Sequence, residues 1–460
     1  MICPRPARAV PRSRLWAAGI WLCIANLIVI PPATTHALAA AAHSQVGDSA
    51  LFSATFDSAW ARIGRSYYDS TMRGLDWPAM RDTLRPQAAA AGSAAELRRV
   101  IGRMLQSLGE SHFALIPSDA AQVLATDGAD GDDGDVGLDV RMVEDQLLVF
   151  RIDTSGPAWE EGVRTGWQLL SIDGDSMPDL IAQLRTALGE RGESFAATHG
   201  PRIAESRFFG RVGDDVAAEF SDGNGRPVQV AMTRRAARGQ AVNFGYLPTV
   251  HARVEHQRLE SGGSCVGVVH LSAWMPPVAA ALDSAIVSHN HCAGMVFDLR
   301  GNPGGLAGMV MGVAGHFLPR PDSLGVLRLR EATLHLVANP RHVDAGGRAV
   351  EPWGGRLAIL VDELSASTSE IFAGAMQAIG RARVFGVRSP GYALPAQITR
   401  LPNGDLLMHV VADFTLPGGV RVEGRGVVPD AEIPLSKAAL LAGRDPALDM
   451  AVEWTGSAVP

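Results

Sequence analysis

Residues 361–377 read VDELSASTSEIFAGAMQ, which places Ser365, Ser367 and Ser369 at alternate positions where an apolar strand gives way to a helix. A serine at such a junction could attack a carbonyl carbon. The unpaired N–H groups and positive end of the helix would favour the oxyanion that the attack creates. The same residues also have the form of a capping box, S-x-x-E over 367–370, in which Ser367 would only close the helix start.

A second segment favours chemistry. FDLRGNPGGLAG, residues 297–308, ends an apolar strand in a loop whose glycines let backbone N–H groups approach a ligand closely. It lacks the Gly-Lys-Ser/Thr ending of a phosphate loop. A serine hydroxyl needs a positioned base before it becomes a good nucleophile. Lys437 is the only lysine in the chain and follows VVPDAEIPLS near its end.

The elements that would carry these residues follow from pattern. Residues 51–115 place apolar side chains three and four apart, broken at Gly, Pro and Ser, and predict a small helical domain over 48–120. From 136 to 235 short strands alternate with Gly-rich turns, predicting a β-rich module. From 250 to 460 strands and helices alternate: CVGVVHLSAW, PPVAAALDSAIVSH, CAGMVFDLR, LAGMVMGVAGHFL, RLAILVD, SEIFAGAMQAIG and ARVFGV. Such alternation implies right-handed crossovers and a mainly parallel sheet, with sites beyond the carboxyl ends of its strands. Both RGNPGG and ELSAS fall there. The expected fold class is multidomain α/β.

A chain of 460 residues allows two or three domains. A formal charge of -7 and 6% aromatic residues argue against a nucleic-acid partner. Residues 1–39 carry Arg5, Arg8, Arg12 and Arg14, then an apolar run from 15 to 30, then small residues. That is the pattern of a cleaved signal peptide, with Ala37-Leu38-Ala39 as the cleavage site, and it predicts a periplasmic or secreted protein. The alternative, an uncleaved anchor, would need about 20 apolar residues. Cys265 and Cys292 then remain, and both a disulfide and two separate thiols stay open. HNHC at 289–292 lacks a second ligand pair at a familiar spacing, and DGADGDDGDVG at 127–137 lacks the ligand alternation and closing Glu of a calcium loop, so no metal is expected.

Two resemblances add roles. The segment VGLDVRMVEDQLLVFRID with SGPAWEEGVRTGWQLLSIDG resembles a PDZ domain, although Gly166-Trp167 stands where that family has Gly-Asp. The likeness implies capture of an extended peptide or free carboxyl terminus beside a sheet edge, around Gly137, Leu138, Asp139 and Val140. DLRGNPGG at 298–305 and SASTSE at 365–370 resemble the carboxyl-terminal processing and tricorn-like serine peptidase family, and the domain order fits it across nearly everything after the leader.

In that family the middle serine attacks, which implies Ser367, with the N–H groups of Gly305 and Thr368 as the oxyanion hole. Ser365 and Ser369 would be supporting residues, and Asp298 and Arg300 would buttress the loop. Many members use a lysine in a Gly-Lys-Gly segment, but this chain has RSPGYALP there, with Tyr392 at the lysine position. The tricorn-like branch uses a histidine in Leu-x-x-Ser-His-x, which implies His112, and a Glu before Gly-x-Gly-Val-x-Pro-Asp, which implies Glu423 acting through Ser111. His270, His316 and His409 stay in reserve. The expectation is an exported, cofactor-free serine endopeptidase acting on polypeptides, with a homo-oligomer left open. A non-catalytic protein binding a peptide or apolar ligand is the alternative.

Overall fold

The computed structural model describes residues 45–118, 133–188, 192–243 and 249–457. The expected leader (1–39) and residues 127–132 of the acidic run lie outside them. Among the described residues no helix is long and apolar enough to cross a membrane.

The first unit is three helices: α1 (Gln45–Ser66), α2 (Trp77–Ala89) and α3 (Ala94–Ser107). In α3, Ser93 accepts the Glu96 N–H at 3.2 Å, and the Glu96 carboxylate accepts the Gly92 N–H at 2.7 Å, so the helix start is satisfied from both sides. Leu97, Val100, Ile101, Met104 and Leu105 form its buried stripe. The chain then enters β1 (Ala114–Ile116), which pairs antiparallel with β13 (Leu406–Val410) far along the sequence, a strand paired on its other side with β12 (Ala396–Arg400). Leu394, Leu401, Leu407 and Val410 join the helices' own core. His112 therefore lies where the helical unit is sewn onto the carboxyl-terminal half.

The middle segment forms an antiparallel sheet in the order β2 (Leu138–Val143), β3 (Gln146–Ile152), β4 (Gln168–Ile172), β5 (Asp215–Ser221) and β6 (Pro227–Thr233). Two helices absent from the sequence reading, α4 (Met177–Leu188) and α5 (Gly192–Phe208), are inserted between β4 and β5. The pattern in α5 was masked by Gly200-Pro201 inside the helix. Strand β2 is the sheet's edge, and α5 packs along it.

The third unit is a sheet in the order β7 (Val254–Ser261), β8 (Ser264–Leu271), β9 (Gly294–Asp298), β10 (Arg356–Val361), β11 (Ala382–Gly386) and β14 (Ala431–Glu432). Strands β8 to β11 and β14 run parallel, and β7 joins β8 as an antiparallel hairpin. Strand β9 is buried at every position, as a sheet covered on both faces requires. One face carries α6 (Ala279–Ser288), α7 (Met309–Ala314) and α8 (Thr368–Ala378) over a core that includes Trp274, Phe297 and Phe372. The other is covered by α9 (Pro446–Gly456). Cys265 and Cys292 form a disulfide. They and His291 lie within 4.8 Å of one another, so the sulfurs of that cluster are already bonded to each other.

The sheets meet through buried charge. Arg141 of β2 donates to Asp362 at 2.7 Å, and Asp362 also accepts the Gly301 and Leu364 N–H groups. Arg151 of β3 pairs with Asp298, which is also held by Arg300. The loops after β9 and β10 thus rest on arginines from the middle segment.

Candidate active site

The three serines of the opening segment have different environments. Ser365 is fully buried, with Oγ 2.9 Å from the Leu299 carbonyl and accepting the Asp362 N–H at 2.8 Å. Ser369 is fully buried, accepts the Trp274 indole N–H at 2.9 Å and lies 3.2 Å from the Asn302 carbonyl. Both tie the serine segment to the glycine-rich loop. Ser367 alone of the three is partly exposed.

Ser367 precedes α8 with φ 55° and ψ −116°. Its N–H is shared between the Tyr392 carbonyl at 2.7 Å and the Glu370 carboxylate at 3.1 Å, so the acid of the expected capping box does reach back. Glu370 is fully buried and also accepts from Ser389 Oγ (2.6 Å), the Gly391 N–H (2.7 Å) and the Tyr392 N–H (2.8 Å). Burial pushes its pKa up to about 7 against those donors. Only seven described non-glycine residues have positive φ, and His112 (φ 60°) is another of them. Such conformations cost about 1–3 kcal/mol and concentrate where a reactive side chain must be presented.

The glycine loop lies directly against this turn. A Cβ on Gly304 would fall 2.6 Å from Ser367 Cβ and 3.0 Å from Thr368 N, and one on Gly305 would fall 2.3 Å from the Trp274 carbonyl. Thr368 Oγ1 donates to the Gly305 carbonyl at 2.8 Å. As the first residue of α8, Thr368 has an N–H with no partner within its own helix. Gly305 and Thr368 are therefore brought together beside Ser367.

His112, Ser111 and Glu423 are also together. Ser111 Oγ is 2.7 Å from His112 Nδ1 and 3.0 Å from Glu423 Oε2, and the Ser111 N–H donates to Glu423 Oε1 at 2.8 Å. A hydroxyl has one proton to give. With Glu423 ionised, Ser111 donates to it and accepts from Nδ1–H, which leaves the Nε2 lone pair free to take a proton. Burial lowers the His112 pKa to about 4. Burial raises that of Glu423, opposed by the Ser111 and Ala393 N–H groups, the Ser111 hydroxyl and Arg421.

The reserve residues have other partners. His270 lies 3.1 Å from Arg151 and from the Asp298 carbonyl, His316 is 3.0 Å from Asp283, and His409 is 3.0 Å from Ser66. Lys437 Nζ donates to Gln146 of β3 at 3.0 Å. In the segment expected to take a peptide, Leu138 is core and Asp139 pairs with Arg238 and Arg253. Gly137 forms a turn at φ 79°, and the Val140 N–H donates to Glu205 of α5 at 2.9 Å. The edge of β2 is thus covered by its own helix. Sequence reasoning missed that cover, and it missed Glu370 as a four-donor hub because its donors at 389–392 are distant in the chain.

Residues 265–433 match the model of peptidase family S41, and residues 50–106 match the tricorn protease C1 domain. Carboxyl-terminal-processing peptidase 3, chloroplastic, of Arabidopsis thaliana is 26% identical over 384 residues, covering 82% of this chain and 68% of that protein. The carboxyl-terminal-processing protease of Synechocystis sp. is 25% identical over 377 residues, covering 81% and 78%. Among solved structures, the photosystem II D1 C-terminal processing protease superposes with a TM-score of 0.56 at 21% identity, covering 88% of this chain and 97% of that one. Mature CPAF gives 0.56 at 14%, covering 88% and 97%. These two likenesses concern the fold. The S41 and tricorn C1 matches and the carboxyl-terminal-processing relatives support that peptidase family and make the chain a serine peptidase.

Proposed function

We propose that the chain is an exported endopeptidase that cleaves polypeptides by an acyl-enzyme route, with Ser367 as nucleophile, His112 as base and Glu423 acting through Ser111. The observation that carries this reading is the unbroken chain from Glu423 through Ser111 Oγ to His112 Nδ1. It selects the tautomer in which Nε2 can accept a proton.

Ser367 Oγ bonds to the scissile carbonyl carbon as its proton passes to His112 Nε2. The carbonyl oxygen becomes an oxyanion facing the Gly305 and Thr368 N–H groups. The C–N bond then breaks, the imidazolium returns its proton to the leaving amine, and an ester remains on Ser367. Water attacks that ester with His112 again as base, releasing the acid and the free serine. No step requires a metal or cofactor.

Polypeptides would be captured in part by the PDZ-like module, domain 136–235, at the β2 edge around Gly137, Leu138, Asp139 and Val140. That role requires α5 to yield, because Glu205 holds the Val140 N–H. Labelling with a fluorophosphonate probe tests the nucleophile: the wild type should be labelled at Ser367 and the Ser367→Ala protein should not. Labelling elsewhere, or none in folded enzyme, would refute the assignment.

A further inference from the structure

Directly before Ser111 and His112, Glu110 is a second buried hub that the mechanism above does not use. Its side chain is 1% exposed, and its carboxylate takes the Tyr67 hydroxyl at 2.5 Å, the Tyr68 hydroxyl at 2.7 Å, Arg73 Nη1 at 2.7 Å and Arg421 Nη2 at 2.6 Å. Burial, then Glu110 itself, pushes both phenols up, Tyr68 to about 12, so both remain donors. Arg421 is fixed from its other side by Asp413, at 2.8 Å from Nε.

The geometry forms a clamp with two rungs. Glu110 grips Arg421, and the next residue, Ser111, grips Glu423 with both its N–H and its hydroxyl. Two segments more than 300 residues apart are thereby held in one register. His112, with φ 60°, continues directly from this clamp. The Glu110 rung thus adds a second tie between the two segments beside the bonds from Ser111 to Glu423 that hold the His112 side of the relay.

We propose that Glu110 is a positioning residue for the proton relay, setting the distance between the Ser111-His112 segment and Glu423 through its ion pair with Arg421. This rests on the Ser-His-Glu reading. The carboxylate of Glu110 bonds to Tyr67, Tyr68, Arg73 and Arg421 and to none of Ser367, His112 and Glu423, so its removal should lower turnover without weakening substrate binding.

A double-mutant cycle in the full chain tests it, using a small activated ester as substrate and the thermal midpoint as a control for folding. Glu110→Gln should lower kcat by about 10–100-fold with KM within about twofold. In the Glu423→Gln background the same substitution should lower kcat by less than about threefold, because the relay it positions is already broken. Equal losses in both backgrounds would show that Glu110 only supports the fold and would overturn the clamp while leaving the relay standing. A Glu423→Gln enzyme with unchanged kcat would overturn the relay, and the clamp with it. Should Glu110→Gln fail to fold, Arg421→Lys repeats the cycle, since one ammonium cannot reproduce the guanidinium fork between Glu110 and Asp413.

Discussion

Ser367 and Glu423 are held by opposite sides of one peptide group. The Ser367 N–H donates to the Tyr392 carbonyl at 2.7 Å, and the N–H of the same peptide, on Ala393, donates to Glu423 at 3.0 Å. A trans amide is planar and points its two polar groups in opposite directions, so this one unit sets the spacing between the nucleophile turn and the acid of the relay.

Ser367→Ala should remain folded and lose turnover by about 10⁴–10⁶-fold, because Ala leaves the N–H contacts of residue 367 in place while removing the attacking oxygen. Turnover of an unfolded-protein substrate, with circular dichroism as the folding control, measures this. Substantial residual activity would assign the nucleophile to another residue.

Gly304→Ala should be nearly as damaging as loss of the serine. Gly304 has φ 102°, and the added Cβ would meet Ser367 Cβ at 2.6 Å. The clash would displace the turn that carries the nucleophile, lowering kcat for small esters and polypeptides alike. A Gly304→Ala enzyme of normal kcat would show that the loop does not form the oxyanion site.

The pH profile follows from burial. His112 must be neutral to accept a proton, so kcat/KM rises with pH as it deprotonates, and its pKa near 4 puts the acid limb well below the 6.5 of a free imidazole. Glu423, whose pKa burial raises above the ordinary carboxylate value, is joined to the ring through Ser111, so the limb belongs to the pair. The same ring has a stability consequence. Its folded pKa lies below the unfolded value, so its contribution to stability is lost as pH falls from about 6.5 toward 4. Replacing it with Gln should flatten that part of the dependence of the thermal midpoint. An acid limb at or above 6.5 would contradict the buried, neutral ring.

Glu205→Ala should free the Val140 N–H at the β2 edge. If that edge takes peptides, KM for long polypeptides should fall severalfold while KM for a small ester stays unchanged. An unchanged or higher polypeptide KM, in a folded variant, would locate capture elsewhere.

The alternation of strands and helices from residue 250 onward was legible because parallel strands buried on both faces, such as 294–298, are nearly all apolar. The residues of the candidate relay were legible only through motif likeness. Nothing in the local pattern around Ser111 reports an acid 312 positions away. Helix α5 was not legible because Gly200 and Pro201 interrupt its periodicity, and its docking on β2 depends on a tertiary contact through Glu205. The arginines that join the sheets, Arg141 and Arg151, looked like ordinary strand residues. Their role appears only once Asp362 and Asp298 are brought beneath them.

The central claim is that a histidine serves Ser367 in a chain with a single lysine. Its most direct measurement is the rate of fluorophosphonate labelling, with the modified residue mapped by peptide mass, in the wild type, His112→Ala and Lys437→Ala proteins. The account predicts labelling at Ser367, a rate about 10²–10⁴-fold lower in His112→Ala, and a Lys437→Ala enzyme close to wild type. A His112→Ala protein labelled at the wild-type rate, beside a folded but unreactive Lys437→Ala protein, would contradict it.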